Sequence, residues 1–128
     1  MIVVDTSVWV AAVREPSGKI ATTLRKLIDT DDAVLALPVR LELLAGVKSD
    51  DRAALKRGLS ALPVVVPSEE TWRLIEGWIG PAADGGQRFG VTDLLIAGLA
   101  SEIGALVWSL DGDFRRMESI GLARLYDN

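Results

Sequence analysis

Catalysis by this chain would have to use carboxylates, hydroxyl groups, Lys, Arg, Tyr or a metal held by oxygen, because its 128 residues include no Cys and no His. The chain therefore has no thiolate nucleophile, no thiolate metal site and no imidazole base. Four acids stand where they could act together: Asp5, Glu42, Asp93 and Asp111. Two carboxylates about 5 Å apart repel by about 3 kcal/mol at an effective dielectric constant of 20. Such a cluster needs a cation, and ligands that are all oxygen favour Mg²⁺ or Mn²⁺ over zinc.

These four acids are predicted to meet at one edge of a sheet. Asp5 ends the apolar run at residues 2–4, and Asp111 follows soon after the last apolar run. Asp93 lies in the first turn of a helix after a Gly-rich loop, and Glu42 lies on the helix that follows the second apolar run. Ligands of α/β folds collect where parallel strands end and helices begin. The site is therefore expected at that edge.

Short apolar runs alternate with helical periodicity, which predicts an α/β sandwich with a mainly parallel central sheet. The predicted strands are residues 2–4, 34–37, 64–66 and 105–108. Helix starts are predicted at Ser17, Pro38, Asp50, Ser68 and Thr92. Gly46 is expected to end the second of these helices and Gly80-Pro81 the fourth, which leaves residues 82–90 as a flexible loop.

Composition indicates one globular domain over residues 1–128, with 49% apolar residues and a net charge of −4. No apolar run approaches the length of about 20 residues that spans a bilayer, and no basic leader precedes the first strand. The absence of Cys fits a reducing compartment. We therefore expect an uncleaved cytoplasmic protein that does not enter a membrane.

Each acid also has a structural interpretation. Asp5 and Asp93 could cap helices, and Asp111, in an Asp-Gly step, could be a turn residue. Glu42 lies among Leu residues, so it either has a cationic partner such as Arg40 or binds a metal. Asp113 is a possible fifth contributor to the cluster.

Four stretches occur in order: 2–7 (IVVDTS), 42–46 (ELLAG), 92–97 (TDLLIA) and 109–114 (SLDGDF). Together they resemble the signature stretches of the PIN-domain nucleases, and more narrowly those of the VapC-type toxins of prokaryotic toxin-antitoxin pairs. The resemblance covers essentially the whole chain. It implies a PIN-like α/β/α sandwich, a Mg²⁺- or Mn²⁺-dependent endoribonuclease activity and, usually, a homodimer. It also implies inhibition by a small VapB-like antitoxin whose C-terminal segment occupies the acidic groove.

The resemblance assigns roles to particular residues. Metal binding and catalysis fall to Asp5, Glu42, Asp93 and, at a more variable position, Asp111. Supporting hydroxyl groups fall to Ser7 and Ser109. Trp108 departs from the pattern, since a bulky aromatic there could crowd the site or stack on a base.

The expected reaction is attack on an RNA phosphodiester by water activated at an ion held chiefly by Asp5 and Asp93. Glu42 would orient the water or complete the ion's shell, and Asp111 would help to hold a second ion. The products expected are 5′-phosphate and 3′-hydroxyl ends. Candidates for contact with the RNA backbone, which could equally be solvated surface charges, are Arg14, Lys19, Arg25, Arg40 and Arg88.

Other functions fit less well. Residues 85–92 have the spacing of a phosphate-binding loop, but Val91 stands where that loop needs Lys. A haloacid-dehalogenase-type phosphatase needs a second Asp where Ser7 stands, and a receiver domain needs a Lys late in a chain that has none after residue 57. A DNA flap nuclease ranks lower because the chain lacks a helical arch. The main alternative is a PIN-like scaffold that binds RNA or protein without catalysis.

Overall fold

The computed structural model describes residues 1–127. Its strands are β1 (Ile2–Val4), β2 (Ala33–Ala36), β3 (Val64–Val65) and β4 (Leu106–Trp108). Its helices are α1 (Thr6–Arg14), α2 (Lys19–Asp29), α3 (Leu37–Gly46), α4 (Ser49–Leu59), α5 (Glu69–Asp84), α6 (Val91–Glu102) and α7 (Gly112–Ser119). The strands form one parallel sheet in the spatial order β3-β2-β1-β4. The predicted α/β class with a parallel sheet is confirmed.

The strand order creates a switch point between β1 and β4. The chain leaves β1 toward β2 and β3 and then crosses back to β4 on the other side of β1. Connections that diverge in this way open a crevice at the carboxyl ends of the two strands, which is where α/β folds bind ligands. Asp5 follows β1 directly, and Asp111 follows β4 by three residues.

The central strands are buried on both faces, as expected for a sheet covered by helices. Because side chains alternate along a strand, β1 contributes to two separate cores. Val3 packs in one core with Ile96 of α6. Ile2 and Val4 pack in the other with Leu24 of α2. Strand β3 differs from its expected burial: it is an edge strand of two residues and is only partly covered.

The ring of Trp108 belongs to the second core. Its side chain is 3% exposed and packs edge-on to the Tyr126 ring, with 5.4 Å between ring centroids. The interpretation in which Trp108 stacks on a base is therefore wrong, because the ring has no exposed face. It is the backbone of Trp108 that meets the acidic edge, where its carbonyl oxygen accepts a hydrogen bond of 2.9 Å from the Asp5 amide.

Several helix boundaries differ from the predicted ones. Helix α2 begins after Gly18 rather than Ser17, and α4 begins after Lys48 rather than at Asp50. Helix α5 continues through Pro81, so the loop after it is shorter than predicted. The carbonyl group that Pro81 leaves without an amide partner belongs to the exposed Gly77, where water can replace the lost hydrogen bond. In residues 1–127 no helix is both long and apolar enough to cross a membrane.

Candidate active site

Asp5 is fixed at the junction of β1 and α1. It is the N-cap of α1, where its side chain accepts a hydrogen bond from the Ser7 amide, and it is only 6% exposed. The Ser7 and Ser109 hydroxyl groups both donate to Asp5 Oδ2, at 2.7 and 2.8 Å. The capping interpretation of Asp5 is thus correct. It does not exclude a site role, because these bonds all engage Oδ2 and leave Oδ1 without a partner in the described chain.

The two serine hydroxyl groups connect β1 to the segment that follows β4. Each has a single proton, which goes to Asp5, and each accepts an amide hydrogen in return. Ser7 Oγ accepts from the Leu110 amide at 3.0 Å, and Ser109 Oγ accepts from the Asp111 amide at 3.0 Å. These bonds hold the backbone on both sides of the switch point and fix the direction of the Asp5 carboxylate.

A tight group of carboxylates lies beside Asp5. One oxygen each of Asp93, Asp111 and Asp113 falls within 4.8 Å of the others. Asp111 caps α7 by accepting a hydrogen bond of 3.0 Å from the Asp113 amide, whereas Asp93 is inside the first turn of α6, whose N-cap is Gly90. The capping interpretation of Asp93 is therefore wrong, and its carboxylate is free to face the other acids.

The position of Asp93 in this cluster raises the pKa of its carboxyl group. Burial, followed by the negative charges of Asp5, Asp111, Asp113 and Glu42, raises its pKa from 3.8 to about 6. No hydrogen bond or cation offsets these effects for Asp93 in the described chain. Since each of the other four acids acts on Asp93, the negative charge of all five converges at this edge of the sheet.

Glu42 reaches the cluster from α3. Its side chain is exposed, and its Oε1 accepts a hydrogen bond of 2.9 Å from the Thr6 hydroxyl at the start of α1. The partner of Glu42 is thus a threonine, and no ion pair with Arg40 is formed within residues 1–127. Because Thr6 follows Asp5 in the chain, the hydrogen bond ties the Glu42 side chain to the carboxyl end of β1.

The donor set fits a divalent ion that prefers oxygen. Two oxygens bound to one Mg²⁺ lie at most about 4.2 Å apart, since each is about 2.1 Å from the ion. The three oxygens of Asp93, Asp111 and Asp113 are already within 4.8 Å of one another, so small side-chain rotations suffice. The tightest group differs from the expected pair Asp5 and Asp93, because it includes Asp113, which the sequence suggested only as a possible contributor.

The basic candidates lie on different elements of the fold. Arg14 ends α1 and lines a groove that also contains Glu42, and Arg88 lies in the segment that precedes α6. Arg40 is half-buried on α3. Lys19 and Arg25 are exposed on α2, where Arg25 donates a hydrogen bond of 3.0 Å to the Pro16 carbonyl group. Contact of these five side chains with RNA stays a prediction.

Sequence reasoning missed Arg116, which contacts the acidic cluster. Its guanidinium group donates to Asp113 Oδ1 at 2.8 Å. The i, i+3 spacing of an acid and an Arg on a helix could have indicated this pair, but α7 was not among the predicted helices. Thr6 was missed too, since no local pattern links a threonine to a glutamate that lies 36 residues away.

Most of the chain is similar to known proteins. The PIN domain family matches residues 2–120. The VapC ribonuclease Mb1587 of Mycobacterium bovis and the ribonuclease VapC11 of Mycobacterium tuberculosis are each 32% identical to the chain over 119 residues, which is 89% of this chain and 89% of theirs.

Solved structures share the fold at lower identity. VapBC2 from Rickettsia felis, bound to a DNA fragment from its promoter, has a TM-score of 0.80 at 21% identity and covers 98% of both chains. DNA-bound VapBC from Salmonella typhimurium has a TM-score of 0.80 at 21% identity, covering 98% of this chain and 96% of that one. VapC20 of Mycobacterium tuberculosis, a sarcin-ricin loop cleaving toxin, has a TM-score of 0.65 at 18% identity, covering 94% and 95%.

Proposed function

The chain belongs to the PIN-domain family, and from this premise we propose that it is a metal-dependent endoribonuclease that acts as the toxin of a toxin-antitoxin pair. The observation that carries the proposal is the convergence of four carboxylates on a fifth, that of Asp93, whose pKa rises to about 6. Strongly perturbed titratable groups cluster at functional sites, and a bound divalent ion would relieve this repulsion. The VapC ribonucleases at 32% identity support the same activity.

The ion would be held by Asp93, Asp111 and Asp113, and Asp5 could contribute its Oδ1, since its hydrogen bonds engage Oδ2. Mg²⁺ or Mn²⁺ would polarise the scissile phosphate and make water a stronger nucleophile. Ser7 and Ser109 orient Asp5 through its Oδ2.

Glu42 is proposed to position the attacking water. Thr6 occupies its Oε1, which leaves Oε2 to accept a hydrogen bond from water and to take up a proton. Hydrolysis in this arrangement leaves a 5′-phosphate and a 3′-hydroxyl, and needs no histidine base. Of the basic candidates, we propose that Arg14, which lines a groove with Glu42, contacts the RNA backbone there, and that Arg88 does so near the start of α6.

The proposed partner is a VapB-like antitoxin in the cytoplasm. An apolar groove of about 250 Å³ opens beside Glu42, between α1, α3 and α4. Trp9, Val13 and Leu55 line it and also line an adjoining groove of about 390 Å³. A partner segment that fills this continuous apolar surface would end next to the acids and block them. The named relatives in VapBC complexes support such a pairing.

A homodimer is also proposed, and α5 offers a surface for it. Trp72 and Ile79 lie two turns apart on one face of α5 and are 50% and 51% exposed, whereas Trp78 packs against the core. Light scattering of the purified chain measures its oligomeric state directly. Trp72→Ser is expected to favour the monomer if this face is the interface, and a dimer that is unchanged in the variant would exclude it.

Cleavage of total RNA tests the proposed activity. The protein, freed of any co-purifying small protein, is assayed with Mg²⁺, with Mn²⁺ and with chelator, beside Asp93→Asn. Asp29→Asn makes the same change at an exposed carboxylate at the end of α2 and serves as a matched control. We expect discrete products with 5′-phosphate ends that need Mg²⁺ or Mn²⁺. Of the two variants, only Asp93→Asn should fail to form them.

Two results would contradict the proposal. Products ending in a 2′,3′-cyclic phosphate would exclude the hydrolytic scheme. A folded protein that binds RNA or a partner tightly but cleaves nothing with either metal would identify a PIN-like scaffold instead.

A further inference from the structure

Arg116 of α7 contacts three consecutive residues that precede α6. Its guanidinium group donates to the Gln87 side-chain carbonyl oxygen and, at 3.3 Å, to the Arg88 backbone carbonyl oxygen. The guanidinium carbon also lies 4.6 Å from the centroid of the Phe89 ring. Arg116 is thus the connection between α7 and residues 87–89, the segment that leads into α6.

The same guanidinium group holds one acid of the cluster. Arg116 Nη2 donates to Asp113 Oδ1 at 2.8 Å. Asp113 lies on α7 and Asp93 on α6, and their carboxylates repel each other in the ion-free protein. Because a guanidinium fork offers several donors in one plane and an aromatic-stacking face, Arg116 can satisfy an acid, an amide oxygen, a carbonyl group and a ring at once.

We propose that Arg116 is a positioning residue that holds residues 87–89 against Asp113, so that Asp93 and Asp113 stay within reach of one ion. The inference rests on the proposed metal centre. Arg116 itself would touch neither ion nor substrate. It acts by fixing the carboxylate of Asp113 and the segment on which α6 and Asp93 depend.

The neighbouring Arg115 provides a matched control. It lies on the same helix and carries the same charge, but it is 71% exposed and pairs only loosely with Asp127, at 3.5 Å. Arg116→Gln and Arg115→Gln therefore remove equal charge from α7, and only the first breaks the contacts with residues 87–89. Arg116→Lys keeps the charge, but its compact ammonium group cannot engage all of these partners.

Direct Mn²⁺ binding is the first measurement, made by the loss of the free-ion electron paramagnetic resonance signal with no RNA present. Loss of a group that orients metal ligands weakens binding by about 10-fold to 100-fold. We expect a Kd raised by about 10-fold in Arg116→Gln, a smaller rise in Arg116→Lys and no change in Arg115→Gln. Circular dichroism and thermal melts establish that each variant is folded.

Trypsin provides a second measurement that does not involve the metal. Cleavage after Arg88 breaks the peptide bond whose carbonyl oxygen accepts from Arg116. Mass spectrometry follows the fragment that ends at Arg88 during brief digestion of the folded protein. We expect faster cleavage at this bond in Arg116→Gln and an unchanged rate in Arg115→Gln.

The outcomes separate this inference from the proposed function. Weaker Mn²⁺ binding together with faster cleavage after Arg88 supports the positioning role. Unchanged Mn²⁺ binding in Arg116→Gln overturns it, whatever the proteolysis shows. If the unaltered chain binds no Mn²⁺, the proposed metal centre is wrong and the positioning role falls with it, while faster cleavage still shows that Arg116 secures the segment.

Discussion

Replacing Asp93 with asparagine should stabilise the ion-free protein at neutral pH. The raised pKa means that the folded state binds a proton at Asp93 more tightly than the unfolded state does. The stability that this proton contributes is complete below pH 3.8 and is lost as the pH rises through about 6. The uncharged amide of the Asp93→Asn variant mimics the protonated side chain at every pH.

The size of the effect follows from the pKa. A rise from 3.8 to about 6, at about 1.4 kcal/mol per pKa unit, corresponds to about 3 kcal/mol. Since the half-buried carboxylate is partly screened by solvent, this is an upper bound. In chelator at pH 7.5, Asp93→Asn should therefore be up to about 3 kcal/mol more stable than the unaltered chain, and the two should be equal near pH 3.5.

Urea unfolding at both pH values, with and without Mg²⁺, measures this difference. An ion that binds only the folded state stabilises it in proportion to the logarithm of its concentration above the Kd. Mg²⁺ should therefore stabilise the unaltered chain more than Asp93→Asn. At pH 7.5 the difference between their free energies of unfolding should become smaller when Mg²⁺ is present. Asp29→Asn, at an exposed position at the end of α2, controls for the loss of one charge. An Asp93→Asn variant that is no more stable in chelator at pH 7.5 would refute the argument from converging charge.

Three further predictions concern helix packing, the serine hydroxyl network and the apolar groove, and the first and third each have a control substitution. Gly98→Ala should cost about 1–3 kcal/mol in urea unfolding, because its new Cβ would lie 2.6 Å from a branched side chain of α5. Gly77→Ala, in open space, should instead gain about 0.5–1 kcal/mol; equal effects would contradict this account of helix packing. Ser109→Ala removes a hydroxyl donor to the buried Asp5 carboxylate and should lower the free energy of unfolding in urea by about 1–3 kcal/mol. An unchanged free energy of unfolding would contradict the role given to this hydroxyl group. Val13→Ser, in the apolar groove, should weaken capture of the antitoxin in co-purification without lowering RNA cleavage, whereas Val66→Ser, which is also exposed but lies outside the groove, should change neither.

The edge that carries the site was predictable because it depends on local patterns. The placement of Asp5 needs only an apolar run that ends in an acid, and that of Asp93 needs only a helix start after glycines. The parallel sheet follows from runs that are apolar on both faces. The PIN-domain resemblance was carried by the same stretches, and the match over residues 2–120 confirms it.

The sequence predicts α1 only through the capping interpretation of Asp5 and does not predict α7, for different physical reasons. Helix α1 (TSVWVAAVR) is rich in β-branched residues and follows a β-branched strand, so its sequence does not favour a helix by propensity. The Asp5 cap and the packing of Val8 decide its conformation. Helix α7 buries only Phe114 and Met117, a stripe too short to show periodicity. The contacts of Arg116 then follow from the path of residues 85–90, which depends on tertiary packing.

The acids differ in the donors that contact them, and this difference singles out Asp93 as the acid at which a cation is proposed to bind. Two serine hydroxyl groups balance Asp5, a threonine hydroxyl group balances Glu42, and a guanidinium group balances Asp113. Asp93 has no such donor within residues 1–127 and is affected by the charge of all the others. Because the chain supplies neutral or cationic donors to its neighbours and none to Asp93, the repulsion at Asp93 is relieved either by a proton, as its raised pKa indicates, or by a cation from outside the chain. A divalent cation at Asp93 is the occupant that fits both this carboxylate and the oxygens grouped around it.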